Sequence, residues 1–102
     1  MKYYLYILKT VDDTLYCGIA RDVLARFEEH KNGVGAKYTR SHKPLEIVYV
    51  DVFEDKSSAS KEEYRIKKTL TRSDKIKLIE ENKNRTKDFL CCSYAGKEMK
   101  ND

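Results

Sequence analysis

The chain has 102 residues and a formal net charge of +4, which is enough sequence for one small domain. Aromatic residues make up 11% of the sequence, so we expect a packed core and not a disordered chain. The apolar run of residues 3–8 is too short for a signal peptide or a membrane span, and we therefore expect a cytoplasmic protein without a membrane segment. The three cysteines contain no C-x-x-C pair, which predicts reduced thiols and neither a disulfide framework nor a zinc site.

Two short β-type segments open the chain. Residues 2–10 and 15–20 are rich in aliphatic and aromatic side chains, which predicts two antiparallel strands joined by a turn. The length of this turn decides which side chains share a face, because side chains alternate along a strand. A three-residue turn at residues 12–14 places Tyr6 and Tyr16 on one face, whereas a two- or four-residue turn places them on opposite faces. The sequence leaves this choice open.

A helix and a long loop follow the two strands. Asp22 is a favourable N-cap, and we predict a helix from there to about Lys31. Arg26 and His30 are four residues apart and therefore lie on one side of that helix. Residues 31–44 contain two glycines and the only proline, which predicts a loop of a length that is usually functional or mobile.

A third strand is predicted over Leu45–Phe53, which is apolar enough to be covered on both faces over part of its length. A later helix is predicted to begin at Ser73 and to end within residues 80–84. We expect an α+β fold in which helices flank a three-stranded, mainly antiparallel sheet. Residues 1–85 are predicted to form the domain, and residues 86–102 a C-terminal tail whose structure the sequence does not determine.

The helix predicted to begin at Ser57 or Ser58 and to end near Leu70 carries a carboxylate among apolar residues. Its inward stripe is Ala59, Glu63, Ile66 and Leu70. The opposite side carries Lys61, Arg65, Lys68 and Arg72. A carboxylate that faces a core needs a cation or hydrogen-bond donors. Glu63 is therefore either a metal ligand, an ion-pair partner of Lys67, or a residue at the wet edge of the stripe.

Basic residues exceed acidic ones in two zones, residues 21–43 and 56–87, and an acidic zone separates them. This distribution is typical of a surface that faces a polyanion, although solvated helices give the same pattern. The candidate nucleic-acid contacts are the side chains of the basic loop, namely Lys31, Lys37, Tyr38, Arg40 and Lys43.

An ordered set of chemically active residues runs through these elements. Along the chain they are Tyr6, the tripeptide Tyr-Cys-Gly at 16–18, Arg26, His30 and Glu63. The set resembles the GIY-YIG nuclease superfamily, in particular its small stand-alone bacterial branch, over residues 2–80. The Ala-x-x-x-Glu-x-x-Ile-Lys pattern around Glu63 and the Gly-Ala-Lys-Tyr-Thr run of the loop also resemble that branch. The chain departs from the motifs at Tyr4-Leu5, where the family has Gly-Ile, and at Cys17, where it has Ile.

The resemblance implies a divalent-metal-dependent endonuclease that hydrolyses phosphodiester bonds in DNA, with RNA left open as a substrate. In that scheme Tyr6 would help to deprotonate the attacking water, and Tyr16 would position the water or the phosphate. Arg26 would hold the phosphate, while His30 would contact a phosphate oxygen or take part in proton transfer. Glu63 would bind Mg²⁺ or Mn²⁺. Some members also use a later Asn and a further His, for which the candidates are Asn82, Asn84, Tyr38 and His42.

Elementary chemistry supports these roles but leaves alternatives. A tyrosine with a pKa near 10 is a weak base, so we expect Arg26 and a bound cation to lower the pKa of Tyr6. One carboxylate suffices for Mg²⁺, which keeps several waters. Alternatively, Tyr6 and Tyr16 are ordinary strand residues. The chain is then a nucleic-acid-binding module without turnover, or a protein-interaction module. Without a recognition domain, we expect weak specificity or a protein partner that supplies it.

Overall fold

The structure is a computed structural model that describes residues 2–34, 37 and 41–91. Its sheet has three strands, β1 (Tyr3–Thr10), β2 (Leu15–Ala20) and β3 (Pro44–Phe53), in the order β2-β1-β3. Both neighbouring pairs are antiparallel. The predicted α+β fold with a three-stranded antiparallel sheet is confirmed.

The longer helices of the described residues are α1 (Val23–Lys31), α2 (Lys56–Thr69), α3 (Arg72–Glu81) and α4, which begins at residue 83 and is described as far as residue 91. Residues 37 and 41 are also helical, so the segment predicted as a loop contains helical backbone. None of the helices in the described ranges is both long enough and apolar enough to cross a membrane.

Side-chain caps fix where the helices begin. The carboxylate of Asp22 accepts the N–H of Ala25 at 3.1 Å, which confirms the predicted start of α1. The predicted start of α2 at Ser57 or Ser58 is wrong, because Asp55 accepts the N–H of Ser58 at 2.8 Å and is the N-cap.

The start of α3 also differs from the prediction at Ser73. Thr71 is the N-cap, and its hydroxyl accepts the N–H of Asp74 at 3.2 Å. The Asp74 carboxylate in turn accepts the N–H of Thr71 at 3.0 Å. These reciprocal hydrogen bonds form a capping box, which satisfies two otherwise unpaired backbone donors and determines the start of the helix.

Thr10 and Thr14 form the closing pair of the hairpin between β1 and β2, so its turn consists of the three residues 11–13. The N–H of Thr10 donates to the carbonyl of Thr14 at 2.9 Å, and the N–H of Asp13 donates to the carbonyl of Thr10 at 3.0 Å. Asp13 has a left-handed backbone with φ of 62°, as is usual where a type I turn closes a three-residue hairpin loop. The turn therefore lies one residue earlier than the predicted position at 12–14.

This turn length sets the register that the functional residues require. Tyr6 lies directly opposite Gly18, and Leu8 lies opposite Tyr16. Residues directly opposite one another project from the same face of the sheet, and so do residues two apart on one strand. Tyr6 and Tyr16 therefore share a face, which was one of the two outcomes that the sequence left open.

Apolar side chains form a core on each face of the sheet. On one face, α1 packs against the sheet through Phe27, and α4 contributes Phe89. On the other face, Ile66 of α2 packs against Leu5 of β1. Strand β3 contributes residues to both cores, which confirms the prediction that it is covered on both faces.

Helix α4 covers the outer edge of β3. Its buried Thr86 accepts the N–H of Val50 at 3.2 Å through the hydroxyl oxygen, and Phe89 packs on Tyr4 with ring centroids 5.4 Å apart. Covering an edge strand in this way satisfies backbone groups that would otherwise be open to another chain. Residues 86–91 thus belong to a packed helix, while the domain boundary after residue 85 stays a prediction.

Candidate active site

The residues singled out for chemistry meet in one cavity of about 340 Å³. Because β2 is an edge strand, α1 on one face and α2 on the other reach toward each other past it. The cavity is lined by Tyr6, Tyr16, Gly18, Ile19, Arg26, His30, Val34 and Glu63. The structure therefore brings together all five residues predicted as catalytic or metal-binding, and their roles stay predictions.

Gly18 is the residue that makes room for Tyr6. A Cβ atom at position 18 would lie 2.6 Å from the hydroxyl oxygen of Tyr6 and 2.8 Å from its Cζ. Since Tyr6 is buried, its ring has little freedom to move aside. The glycine of the Tyr-x-Gly tripeptide is thus a steric requirement, and this requirement depends on a contact between two strands that the tripeptide alone does not reveal.

Tyr6 and His30 form a buried hydrogen bond. The hydroxyl oxygen of Tyr6 lies 2.9 Å from Nε2 of His30, and each residue has only 2% of its surface exposed. Burial lowers the pKa of His30, and the positive charge of Arg26 lowers it further while Glu29 opposes the shift. At neutral pH the imidazole is therefore uncharged, and we infer that its Nε2 accepts the proton of the Tyr6 hydroxyl.

In the protein without a bound cation, Arg26 alone does not lower the pKa of Tyr6 below its ordinary value. Burial raises the pKa of Tyr6 well above its ordinary value, and the neighbouring Tyr16 raises it further. Arg26 acts in the expected direction but is outweighed. Desolvation disfavours the phenolate more strongly than one partly exposed guanidinium favours it. In the protein by itself, Tyr6 is a neutral phenol that needs a proton acceptor, and His30 is within hydrogen-bond distance.

Tyr16 forms the wall of the cavity next to this pair. Its ring packs edge-on against His30 with centroids 5.3 Å apart, and it lies 6.5 Å from the ring of Tyr6. The ammonium of Lys67 lies 5.6 Å from the centroid of Tyr16. Burial raises the pKa of Tyr16, Lys67 lowers it, and Glu63 raises it. Tyr16 is therefore also a neutral hydroxyl that can donate or accept a hydrogen bond.

Arg26 supplies positive charge at the mouth of the cavity. Its side chain is 44% exposed, and Nη1 lies 3.4 Å from a carboxylate oxygen of Glu29. An exposed pair of this kind contributes little to stability. The guanidinium consequently keeps donors available for an anion, in the planar arrangement that suits two oxygens of a phosphate.

Glu63 faces the cavity from the inward stripe of α2. Ala59 and Ile66, on the same stripe, have no exposed surface, whereas the Glu63 side chain is 24% exposed. Its Oε2 lies 3.3 Å from Nζ of Lys67. Glu63 thus both lines the cavity and forms the ion pair that was its alternative interpretation.

The donor set fits a Mg²⁺ or Mn²⁺ site of the open kind. In the described part of the chain, no three His, Cys, Asp or Glu side chains form a cluster that could hold a metal. Mg²⁺ does not require such a cage, because it is commonly held by one or two carboxylates together with water and substrate phosphate. Glu63 offers one carboxylate in a cavity that is open enough for the remaining ligands.

The predicted nucleic-acid contacts are only partly described. Lys31, Lys37 and Lys43 are exposed, whereas Tyr38 and Arg40 lie outside the described residues. Lys31 already contacts its own helix, since its ammonium lies 3.6 Å from Glu28 and 5.3 Å from the Phe27 ring centroid. The beginning of the basic loop lies next to the cavity, because Val34 is one of the residues that line the cavity.

Of the additional family residues that the sequence suggested, the three that the structure describes do not line this cavity, and Tyr38 lies outside the described residues. The side chain of Asn82 donates to the carbonyl of Leu78 at 2.9 Å at the end of α3. Asn84 is exposed in α4. His42 bonds to Asp12 at the β1–β2 turn. Each of these residues has a structural setting away from Tyr6.

Comparisons with known proteins agree with this geometry. The family model described as the GIY-YIG catalytic domain matches residues 2–77. A UPF0213 protein of Staphylococcus epidermidis is 50% identical over 80 residues, which is 78% of this chain and 96% of that protein. One of Staphylococcus saprophyticus is 49% identical over 80 residues, with the same coverage.

A solved structure is similar as well. The solution NMR structure of a UPF0213 protein from Bacillus halodurans matches with a TM-score of 0.53 and 37% identity. The match covers 81% of this chain and 87% of that one. The resemblance stated from the sequence, to the superfamily and to its small stand-alone branch, is confirmed.

A double-mutant cycle tests the steric contact between position 18 and Tyr6. Gly18→Ala should lower the free energy of unfolding by about 1–3 kcal/mol, because the added methyl group overlaps the Tyr6 ring. In a Tyr6→Leu background the same substitution should cost much less, since the overlapping atoms are gone. Urea denaturation of the four proteins measures both values. An equal cost of Gly18→Ala in the two backgrounds would show that the glycine is needed for another reason.

Proposed function

Because this chain belongs to the GIY-YIG family of nuclease-type catalytic domains, we propose that it is an endonuclease that hydrolyses phosphodiester bonds in DNA with the help of a bound divalent cation. The observation that carries the proposal is the Tyr6–His30 hydrogen bond at the wall of a cavity that also contains Arg26 and Glu63. These side chains correspond to the groups that hydrolysis needs: a proton acceptor for water, a cation for the phosphate and a carboxylate for a metal.

Tyr6 and His30 act together as the base. As the attacking water forms its bond to phosphorus, the bond between phosphorus and the leaving oxygen breaks. One proton of the water moves to the hydroxyl oxygen of Tyr6, the Tyr6 proton moves to Nε2 of His30, and the leaving oxygen takes a proton from solvent. The tyrosine is neutral before and after this transfer, so its raised pKa does not prevent it from acting. The lowered pKa of His30 keeps its nitrogen unprotonated at neutral pH, which a general base requires.

Arg26 and Tyr16 hold the phosphate. The guanidinium of Arg26 donates to non-bridging oxygens, where negative charge increases as water attacks. The hydroxyl of Tyr16 orients the water or an oxygen of the same phosphate from the neighbouring wall. Both groups are in place before the substrate binds, so little rearrangement is needed.

Glu63 is the protein ligand for the divalent cation. When bound, Mg²⁺ or Mn²⁺ neutralises charge on the phosphate and on the leaving oxygen. Glu63 also contributes to the electrostatic potential of the cavity. A negative charge at position 63, near Arg26 and Lys67, keeps the cavity from being uniformly positive.

Replacing Glu63 separates the metal role from a structural one. Glu63→Gln should lower the rate of Mg²⁺-dependent plasmid nicking by about 100-fold or more, because the charge that holds the ion is lost. The free energy of unfolding should fall by no more than about 0.5 kcal/mol, since the pair with Lys67 is half-exposed. Nicking and thermal unfolding are measured on the same preparations.

Glu62→Gln is the matched control, because Glu62 is the adjacent carboxylate and is paired with Arg65 at 2.7 Å instead of lining the cavity. It should leave the nicking rate within about twofold of the parent, since only a surface pair is lost. Near-parental nicking by Glu63→Gln would contradict the metal role. A parent protein that binds DNA but does not cut it with Mg²⁺ or Mn²⁺ would instead indicate a binding module without turnover.

Charge reversal tests which surface holds DNA. We expect Lys37→Glu with Lys43→Glu to weaken DNA binding at least tenfold and to reduce the salt dependence of the binding constant, because two phosphate contacts are lost. Lys61→Glu with Lys68→Glu makes the same change in net charge on α2, on the side away from Glu63, and should weaken binding less than threefold. Fluorescence anisotropy at several salt concentrations measures both. Equal losses, or a larger loss from the α2 pair, would assign the DNA to the other surface.

A further inference from the structure

Lys67 contacts two parts of the cavity wall at once. Its Nζ lies 3.3 Å from Oε2 of Glu63, and the same ammonium lies 5.6 Å from the centroid of the Tyr16 ring. The first contact neutralises the carboxylate that faces the cavity. The second places the positive charge over the aromatic ring of another cavity residue, in the range in which a ring attracts a cation.

We propose that Lys67 is a built-in competitor of the divalent cation: its ammonium pairs with the carboxylate of Glu63 when the metal is absent and moves off that carboxylate when the metal binds. The inference rests on the proposed function, because it takes Glu63 as the metal ligand. Beyond the proposed function, the inference states that Lys67 determines the metal concentration at which the site becomes occupied.

The competition follows from the space around Oε2. A divalent cation bound to a carboxylate oxygen lies about 2.1 Å from it, and an ammonium at 3.3 Å from the same oxygen would repel it at close range. Lys67 is able to leave, because its side chain is 47% exposed and has a flexible four-carbon stem. In this same position the ammonium is also within cation–π range of the Tyr16 ring, a contact that does not depend on Glu63.

Neighbouring cations of α2 are engaged elsewhere. Arg65 forms two hydrogen bonds to Glu62, at 2.8 and 2.7 Å. Lys68 lies over the ring of Tyr64 at 5.8 Å. Lys68 carries the same charge as Lys67 and lies on the same helix, but its ammonium contacts Tyr64 and not Glu63. It is therefore a matched control.

The test is a titration of the protein with Mn²⁺ in the absence of DNA. Binding is measured from the electron paramagnetic resonance signal of the free Mn²⁺. Lys67→Met keeps a long helix-compatible side chain and removes the charge. It should lower the Kd for Mn²⁺ by about two- to tenfold, since a half-exposed ion pair and a nearby like charge no longer oppose the metal. Lys68→Met should change the Kd by less than about 1.5-fold, because that charge is farther from Glu63 and is screened.

Glu63→Gln shows whether the measured Mn²⁺ is at this site. It should remove the binding, and adding Lys67→Met to it should restore none. An unchanged or higher Kd in Lys67→Met, an equal decrease in Lys68→Met, or undiminished binding in Glu63→Gln would each overturn the competition.

The outcomes also separate this inference from the proposed function. If Lys67→Met tightens Mn²⁺ binding as expected but no protein cuts DNA, the competition stands and the nuclease function fails. If the parent cuts DNA with Mg²⁺ but Lys67→Met leaves the Kd unchanged, the nuclease function stands and the competition is wrong.

Discussion

The hydrogen bond between Tyr6 and His30 connects the central strand to α1 and is the contact on which the site depends. It forms only because three conditions hold together. The three-residue turn places Tyr6 opposite Gly18, Gly18 leaves the space that the ring occupies, and the cap at Asp22 starts α1 so that His30 faces inward. Each of these features helps to bring the two partners within hydrogen-bond distance. The motif residues of this chain are thus linked by packing as much as by chemistry.

Burial serves both the stability and the chemistry of this pair. It raises the pKa of Tyr6 and lowers that of His30, so both groups are neutral and their hydrogen bond satisfies two polar atoms that would otherwise be costly to bury. A buried phenolate beside an imidazolium would require two charges in the core, which proteins tolerate poorly. The account of catalysis therefore uses a transfer through a neutral pair, with the charged groups Arg26 and Glu63 at the more exposed parts of the cavity.

Local sequence patterns predicted the three strands, the helices α1 to α3 and the inward position of Glu63, since these depend on periodicity along one segment, but they did not predict α4 or the helical backbone at residues 37 and 41. They did not predict what depends on distances between segments. The role of Gly18 follows from a cross-strand contact, and the contact of Lys67 with Tyr16 joins α2 to β2. The raised pKa of Tyr6 in the protein without a bound cation was not predicted, because burial cannot be read from charge spacing. The caps at Asp55 and Thr71 were missed because several Ser, Thr and Asp residues compete at each helix start, and the backbone decides between them.

The central claim, that a neutral His30 accepts the proton of Tyr6, is tested most directly by the ¹⁵N NMR titration of the His30 ring, assigned with a His30→Gln variant. The account predicts a pKa below the ordinary value of about 6.5 and an unprotonated, hydrogen-bonded Nε2 at neutral pH. Because the unfolded chain then binds more protons than the folded one, the stability contributed by His30 should be present above about pH 6.5 and should fall as the pH drops toward the folded pKa. A His30 that titrates above 6.5, or whose Nε2 carries a proton at neutral pH, would contradict the account.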